Sequence, residues 1–239
     1  MKPLTLALLL LASGIRAEVR EISTMAQIRP ELTPSTLLVF DIDNTLVEPL
    51  GNIGSDQWYY YLVKAIARDD KTLTADAAET KAGDIWTKTL KTVTVQPVEA
   101  ITPALIREQQ KRGLTVMALT ARGPEDEAVT LRQLKDLGYD LNARTIVKNG
   151  VVLMGDGDKG AVLLDVMKKA GYKPKRVVFV DDKLKNVKAV DAALTAAGVP
   201  VLCFRYGATD AKVRAFNEVI GEAGDKANAD LLFHGRAAK

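Results

Sequence analysis

Apolar runs alternate along the chain with amphipathic segments, and this alternation predicts a parallel β-sheet covered by helices. The strand candidates are unbroken apolar runs, as expected for strands buried on both faces: TLLVFD (36–41), LTVMALT (114–120), RVVFVDD (176–182) and PVLCFRY (200–206). The helix candidates, 99–112, 125–137, 159–170 and 184–197, each stop at a glycine that can close a helix. The order predicts an α/β fold with a three-layer, Rossmann-like core.

Two segments depart from this rhythm. Residues 48–98 contain the helix-like stretches SDQWYYYLVKAIARDD and ADAAETKAGDIWTKTLKTV, with no strong strand between them. They predict a small helical cap inserted after the first strand, so that 18–47 and 99–239 form the core. The second segment, TIVKNGVVLM (145–154), has Asn149-Gly150 between two apolar runs and predicts a β-hairpin.

The first residues have the pattern of a secretory signal. Lys2 precedes the apolar run LTLALLLLASGI, and Ala17 supplies a small residue for cleavage, so 1–17 predicts a signal peptide that is removed. The run is too short to span a bilayer comfortably. We therefore expect a periplasmic or secreted protein without stable membrane insertion after cleavage. An uncleaved anchor and a buried N-terminal helix are the alternatives.

Composition limits the chemistry further. The 33 basic and 30 acidic residues give a net charge of +3 without a run of like charges, which argues against a nucleic-acid or membrane-surface partner. The single cysteine, Cys203, excludes an internal disulfide and is expected in the core. The single histidine, His234, excludes a multi-histidine metal site.

Polar residues follow the predicted strands, where the ligand site of an open parallel sheet lies. They are Asp41 and Asp43 after the first strand, Thr120 and Arg122 after the second, and Asp181 and Asp182 after the third, with Lys159 opening a helix. Four carboxylates at one edge repel one another and need a cation. Oxygen ligands alone favour a hard divalent ion such as Mg²⁺.

Thr120 and Lys159 suit an anion rather than a metal. A phosphoryl group satisfies both halves of the pattern, because Mg²⁺ binds it on one side and the hydroxyl and ammonium groups on the other. Asp41, held at the end of a rigid strand, is then placed to attack phosphorus.

In this order, Asp41-Ile42-Asp43-Asn44-Thr45, Thr120, Lys159 and Asp181-Asp182 resemble the four motifs of the haloacid dehalogenase superfamily of phosphatases and phosphotransferases. The resemblance covers roughly residues 36–206. With its predicted signal peptide and helical insert, the chain is most similar to a secreted bacterial branch of the superfamily that has a helical cap. It implies that Asp41 is the nucleophile and a metal ligand. It also implies that Asp43 is the general acid and then base, with its backbone carbonyl on the metal.

The same resemblance assigns the phosphoryl oxygens to Thr120 and Lys159, and the rest of the metal shell to Asp181 and Asp182. Four points stay open. Asn186 stands where some relatives carry another acid, and Lys148 lies near Lys159. Arg122 either grips a substrate anion or forms a salt bridge, and the aromatic residues 58–61 either pack the cap or stack on a leaving group.

We therefore expect a Mg²⁺-dependent phosphomonoester hydrolase that acts through an aspartyl phosphate. Its substrate would be a small-molecule phosphomonoester or a phosphorylated side chain. The alternatives are a noncatalytic phosphate- or metal-sensing binding protein, and a phosphotransferase or mutase on the same fold.

Overall fold

The structure is a computed structural model that describes residues 19–223. The predicted signal peptide and His234 lie outside this range. The strands are β1 (Val19–Ile22), β2 (Thr36–Phe40), β3 (Val47–Pro49), β4 (Val95–Pro97), β5 (Thr115–Thr120), β6 (Val151–Leu153), β7 (Arg176–Asp181) and β8 (Val201–Tyr206). The helices are α1 (Asp56–Asp69), α2 (Ala75–Leu90), α3 (Thr102–Lys111), α4 (Glu127–Asp136), α5 (Lys159–Lys169), α6 (Leu184–Ala196) and α7 (Asp210–Ala223).

Six strands form one sheet in the order β1-β8-β7-β2-β5-β6, and all their pairings are parallel. The four predicted strands are β2, β5, β7 and β8, so the predicted α/β fold is confirmed. After β2 the chain adds β5 and β6 on one side of this strand, and then crosses over to add β7 and β8 on the other side. The strand order therefore reverses between β2 and β7, and open α/β sheets bind their ligands at such a switch point.

Both faces of the sheet are covered, which explains the unbroken apolar strands. Alternate side chains of β2 point to opposite faces: Leu38 and Phe40 pack in a cluster with residues of α3 and α4, and Leu37 and Val39 in another with residues of α5 and α6. Buried Cys203 belongs to the second cluster, as expected. The predicted three layers are therefore present.

The glycines expected to end helices do so in the structure. Gly113, Gly138, Gly171 and Gly198 follow α3, α4, α5 and α6 with φ between 61° and 94°. Only glycine adopts this left-handed conformation without steric cost.

The predicted hairpin at Asn149-Gly150 is wrong. Both residues have the left-handed φ expected of the turn, 58° and 71°. However, β6 pairs in parallel with β5, and residues 145–147 do not form a strand. A Cβ atom on Gly150 would lie 2.5 Å from Leu141, so the turn packs against the core rather than projecting as a hairpin tip.

The segment between β2 and α3 contains two helices, as predicted. It also contains a pair of strands that the sequence pattern did not predict. Antiparallel β3 and β4 bring its two ends together, and α1 packs against α2. We call residues 47–97 the insert. Its apolar cluster includes Trp58, Leu62 and Ala82, and Phe216 of α7 completes it. Strands of three residues, such as β3 and β4, are too short to show an alternation of apolar and polar residues. Strand β1 was not predicted either, because two of its four residues are charged.

Within residues 19–223, no helix has both the length and the apolar character needed to cross a membrane.

Candidate active site

Three carboxylates meet at the point where the sheet changes direction. Asp41 follows β2, Asp181 ends the neighbouring β7, and Asp182 comes next. One oxygen atom from each lies within 4.8 Å of the others. The fold thus brings together residues that are about 140 positions apart, as the sequence predicted.

Lys159 lies between two of these acids. Its Nζ atom is 2.5 Å from Asp41 Oδ1 and 2.7 Å from Asp181 Oδ2, and its side chain is 4% exposed. The Asp158 side chain accepts a hydrogen bond from the backbone N–H of Ala161, which caps α5 and starts the helix at Lys159. Lys148, the alternative, is exposed on the surface.

The charges in this cluster are not balanced. Burial raises the pKa of Asp41 to about 7, against the opposing effect of Lys159 and with a further rise from Asp181. Burial also raises the pKa of Asp182 well above its ordinary range. Burial alone would lower the pKa of Lys159, but Asp41 and Asp181 raise it, so the ammonium stays charged. Three charged carboxylates and one ammonium group carry a net negative charge, which a bound cation would neutralise.

The donor set fits a hard divalent cation. Asp182 Oδ1 is buried and has no hydrogen-bond partner among the described residues, so this oxygen has unused electron pairs. Asn186, whose role was open, donates from Nδ2 to both oxygens of Asp181, at 3.0 Å each, and the backbone N–H of Lys183 donates to Asp181 Oδ1. The amide therefore holds Asp181, as neighbours of metal-binding carboxylates commonly do.

A tight turn after β2 places Asp41 and Asp43. The carbonyl oxygen of Ile42 accepts the N–H groups of Thr45, Leu46 and Val47. Asn44 takes the left-handed conformation, with φ 60°, which asparagine tolerates better than most residues. The Thr45 hydroxyl accepts the backbone N–H of Asp182 at 3.1 Å. This bond ties the turn to the loop after β7.

Arg122 binds Asp43 with both arms of its guanidinium group. The distances are 2.9 Å from Nε to Oδ2 and 2.7 Å from Nη2 to Oδ1, and the arginine side chain is 1% exposed. Of the two sequence-based interpretations of Arg122, the structure shows the salt bridge. A substrate anion cannot use a bidentate face that Asp43 already occupies. Thr120 lies beside this pair, with its hydroxyl oxygen accepting the backbone N–H of Arg122 at 3.1 Å.

The insert contacts the loops that carry these residues. Lys183 Nζ is 2.7 Å from Asp56 of α1 and 3.1 Å from the Tyr60 hydroxyl. Asn44 donates to the Gln57 side chain at 3.3 Å. The ring of Trp86 covers the guanidinium group of Arg122 at 5.6 Å. Sequence reasoning missed these contacts, and its only available signal was that Lys183 directly follows two site aspartates.

The aromatic residues at the start of α1 serve mainly to pack the insert. Trp58 is 2% exposed, and the Tyr61 ring meets the Phe216 ring edge to face at 6.3 Å. Tyr60 differs, since it is 42% exposed and its ring lies 4.8 Å from Lys183 Nζ.

The family described as "Protein of unknown function (DUF2608)" matches residues 17–229. The chain belongs to this family. A "Putative outer membrane protein" of Chlamydia pneumoniae is 24% identical to the DUF2608 chain over 210 residues, which are 83% of this chain and 79% of the relative.

Two solved structures that align with the DUF2608 chain have low TM-scores. CbbY from Rhodobacter sphaeroides in complex with phosphate has a TM-score of 0.44 and 13% identity, over 70% of the DUF2608 chain and 84% of its own. A haloacid dehalogenase-like family hydrolase from Streptococcus pneumoniae has a TM-score of 0.42 and 13% identity, over 73% and 94%. Likeness at this level does not bear on activity.

Proposed function

We propose that this DUF2608 protein is a phosphomonoester hydrolase of the haloacid dehalogenase type. One observation carries the proposal: Asp41, Lys159, Asp181 and Asp182 converge where β2 and β7 end side by side. A buried group of acids and one ammonium, placed where α/β sheets bind ligands, suits a phosphoryl group with its counter-ion.

In the proposed reaction an oxygen of Asp41 attacks phosphorus, and the bond from phosphorus to the leaving oxygen breaks. Asp43 donates a proton to the leaving oxygen, and then takes one from the water that hydrolyses the aspartyl phosphate. Thr120 and Lys159 hold the phosphoryl oxygens. Lys159 is 2.5 Å from Asp41, so it also lies close to any group that Asp41 attacks.

Asp41, Asp181 and Asp182 would hold Mg²⁺, together with the backbone carbonyl of Asp43. The bound ion would neutralise the phosphoryl oxygens and oppose the repulsion among these carboxylates. One support for this assignment is the unpartnered oxygen of Asp182. The other is that burial raises the pKa values of Asp41 and Asp182 more than the nearby lysines lower them, and a bound cation would favour the charged carboxylates.

The test is hydrolysis of p-nitrophenyl phosphate with and without Mg²⁺. We expect turnover that needs the ion and stops with EDTA, and a loss of at least about 10³-fold in Asp41→Asn because the nucleophile is removed. Asp165→Asn is the matched control, since Asp165 is 53% exposed and pairs only with Lys169 on the surface of α5. A wild-type protein that binds phosphate and Mg²⁺ but never turns over would support the noncatalytic binding protein instead.

We also propose that the protein acts outside the cytoplasm. The support is the signal-like pattern of residues 1–17, and the name of the C. pneumoniae relative refers to the outer membrane. N-terminal sequencing of protein from a periplasmic extract should find a mature chain beginning near residue 18. A chain that still begins at Met1 would reject export by cleavage.

A further inference from the structure

Arg122 is held on every side by groups other than substrate. Besides its two bonds to Asp43, its Nη1 atom donates to the Thr130 hydroxyl at 3.0 Å and to Gln133 Oε1 at 2.9 Å. Both partners lie on α4, so the core fixes the plane of the guanidinium group. That plane sets the direction in which the Asp43 carboxylate points, because a bidentate pair is close to coplanar.

One face of α2 lies over this arginine. Trp86 and Leu90 are four residues apart and therefore share a side of the helix. The Trp86 ring is 5.6 Å from the guanidinium carbon, within the range of a cation–π contact, and the Leu90 carbonyl accepts a hydrogen bond from Gln133 Nε2 at 3.1 Å. Gln133 thus links Arg122 and α2 at the same time.

Trp86 engages the core with its ring face rather than its N–H group. The indole nitrogen is buried and makes no hydrogen bond with any of residues 19–223. Tyr59 also contacts the Trp86 ring, edge to face at 6.2 Å. A rigid aromatic ring over a buried cation restricts how the cation can tilt.

We propose that Trp86 is a positioning residue: through Arg122 it orients Asp43 for the hydrolysis of the phosphoenzyme. This inference rests on the proposed function. Both oxygens of Asp43 accept a hydrogen bond from Arg122, so the direction of the carboxylate depends on where the guanidinium group lies. In that step the water oxygen bonds to phosphorus, the bond between phosphorus and Asp41 breaks with its electron pair on the carboxylate, and the water proton goes to Asp43.

The experiment separates the two halves of the reaction. With p-nitrophenyl phosphate the leaving group departs readily without a proton, so the first turnover depends little on Asp43. We expect Trp86→Leu to keep the initial burst of nitrophenol but to lower the steady rate about tenfold or more, a part of the 10²–10⁴-fold that acid–base catalysis typically contributes. Acid-trapped phosphoenzyme should then accumulate.

Two variants serve as controls. Trp86→Phe keeps a ring face over Arg122 and should restore most of the steady rate. Tyr61→Leu alters an aromatic residue of the same helical pair that contacts Phe216 instead of Arg122, so it should leave the ratio of burst to steady rate unchanged. If Trp86→Leu does not fold by circular dichroism, Gln133→Met removes the other link and should give the same pattern.

A steady rate equal to wild type in both Trp86→Leu and Gln133→Met would overturn the inference. So would an equal loss in burst and steady rate, or the same accumulation of phosphoenzyme in Tyr61→Leu. A wild-type protein without any turnover would instead remove the proposed function, and this inference with it.

Discussion

Asp41 is almost fully buried, yet the proposed reaction needs it as a charged nucleophile. Burial favours its neutral form, and Lys159 is the only cation within 4 Å of it among the described residues. The two effects leave a pKa of about 7. The site is therefore a source of instability in the metal-free protein.

This raised pKa predicts a pH dependence of stability. Between about 4, the ordinary pKa of an aspartate, and about 7, folded protein retains a proton on Asp41 that the unfolded chain has lost. The free energy of unfolding in EDTA should therefore fall as pH rises through this window, by on the order of 2–4 kcal/mol. Urea denaturation from pH 4.5 to 7.5 measures it.

Asp41→Asn is the control for this dependence, because asparagine does not titrate. Its stability should vary less with pH over the same range. A slope equal to that of wild type would assign the dependence to other groups, with Asp182 the first candidate.

Several side chains could be placed from the sequence and others could not. Asp41, Asp181 and Asp182 end apolar runs, and parallel strands bring such ends together, so local pattern was enough. The predicted helix beginning at Lys159 favoured this residue over Lys148, and α5 begins there. The pairing of Arg122 with Asp43, in contrast, needed the turn after β2, and no residue pattern in the linear sequence displays it.

Helices α5 and α6 approach each other closely, and this contact positions Lys159. A Cβ atom on Gly160 would lie 2.6 Å from both the Ala189 carbonyl oxygen and the Ala193 Cβ atom. Only a residue without a side chain permits this distance. The predicted helix ends were confirmed because glycines mark them locally, whereas the close packing at Gly160 depends on a partner helix some 30 residues away.

Gly160→Ala should force the two helices apart. We expect a loss of about 1–3 kcal/mol in the free energy of unfolding, from overpacking, and reduced turnover because Lys159 is adjacent. Gly83→Ala is a matched control in α2, where an added Cβ atom meets nothing within 4 Å. It should stabilise the protein by about 0.5–1 kcal/mol. Destabilisation of equal size at both positions would contradict the argument.

The insert is held by the last described helix as well as by the core loops. Phe216 of α7 is 3% exposed and packs in the apolar cluster of α1 and α2, and Lys212 of the same helix pairs with Glu48 at 3.0 Å. Helix α7 thus fixes a segment that begins more than 150 residues earlier. The limits proposed for a separate cap domain, 48 and 98, stay a prediction.

Phe216→Ala should loosen the insert more than the sheet. Removing a buried phenylalanine costs about 3–5 kcal/mol, and we expect faster amide hydrogen exchange in α1 and α2 than in β2 and β7. Val219→Ala changes an apolar residue of α7 that is 50% exposed, and its effect should stay within about 0.5 kcal/mol. Exchange that rises uniformly over the chain would show instead that the insert and sheet open as one unit.

The sequence was sufficient to predict a parallel α/β fold with its carboxylates at one edge. The features that predicted it were the apolar runs, the glycines after helices and the acids at strand ends. Each of these acts over a few residues or through the geometry of parallel strands. The parallel pairing of β6, the bond between Arg122 and Asp43, and the contact of Trp86 with Arg122 were decided only in three dimensions. They depend on which surfaces meet after the chain has folded, and residues such as Trp86 and Arg122 have no regular separation in the chain that would reveal their contact.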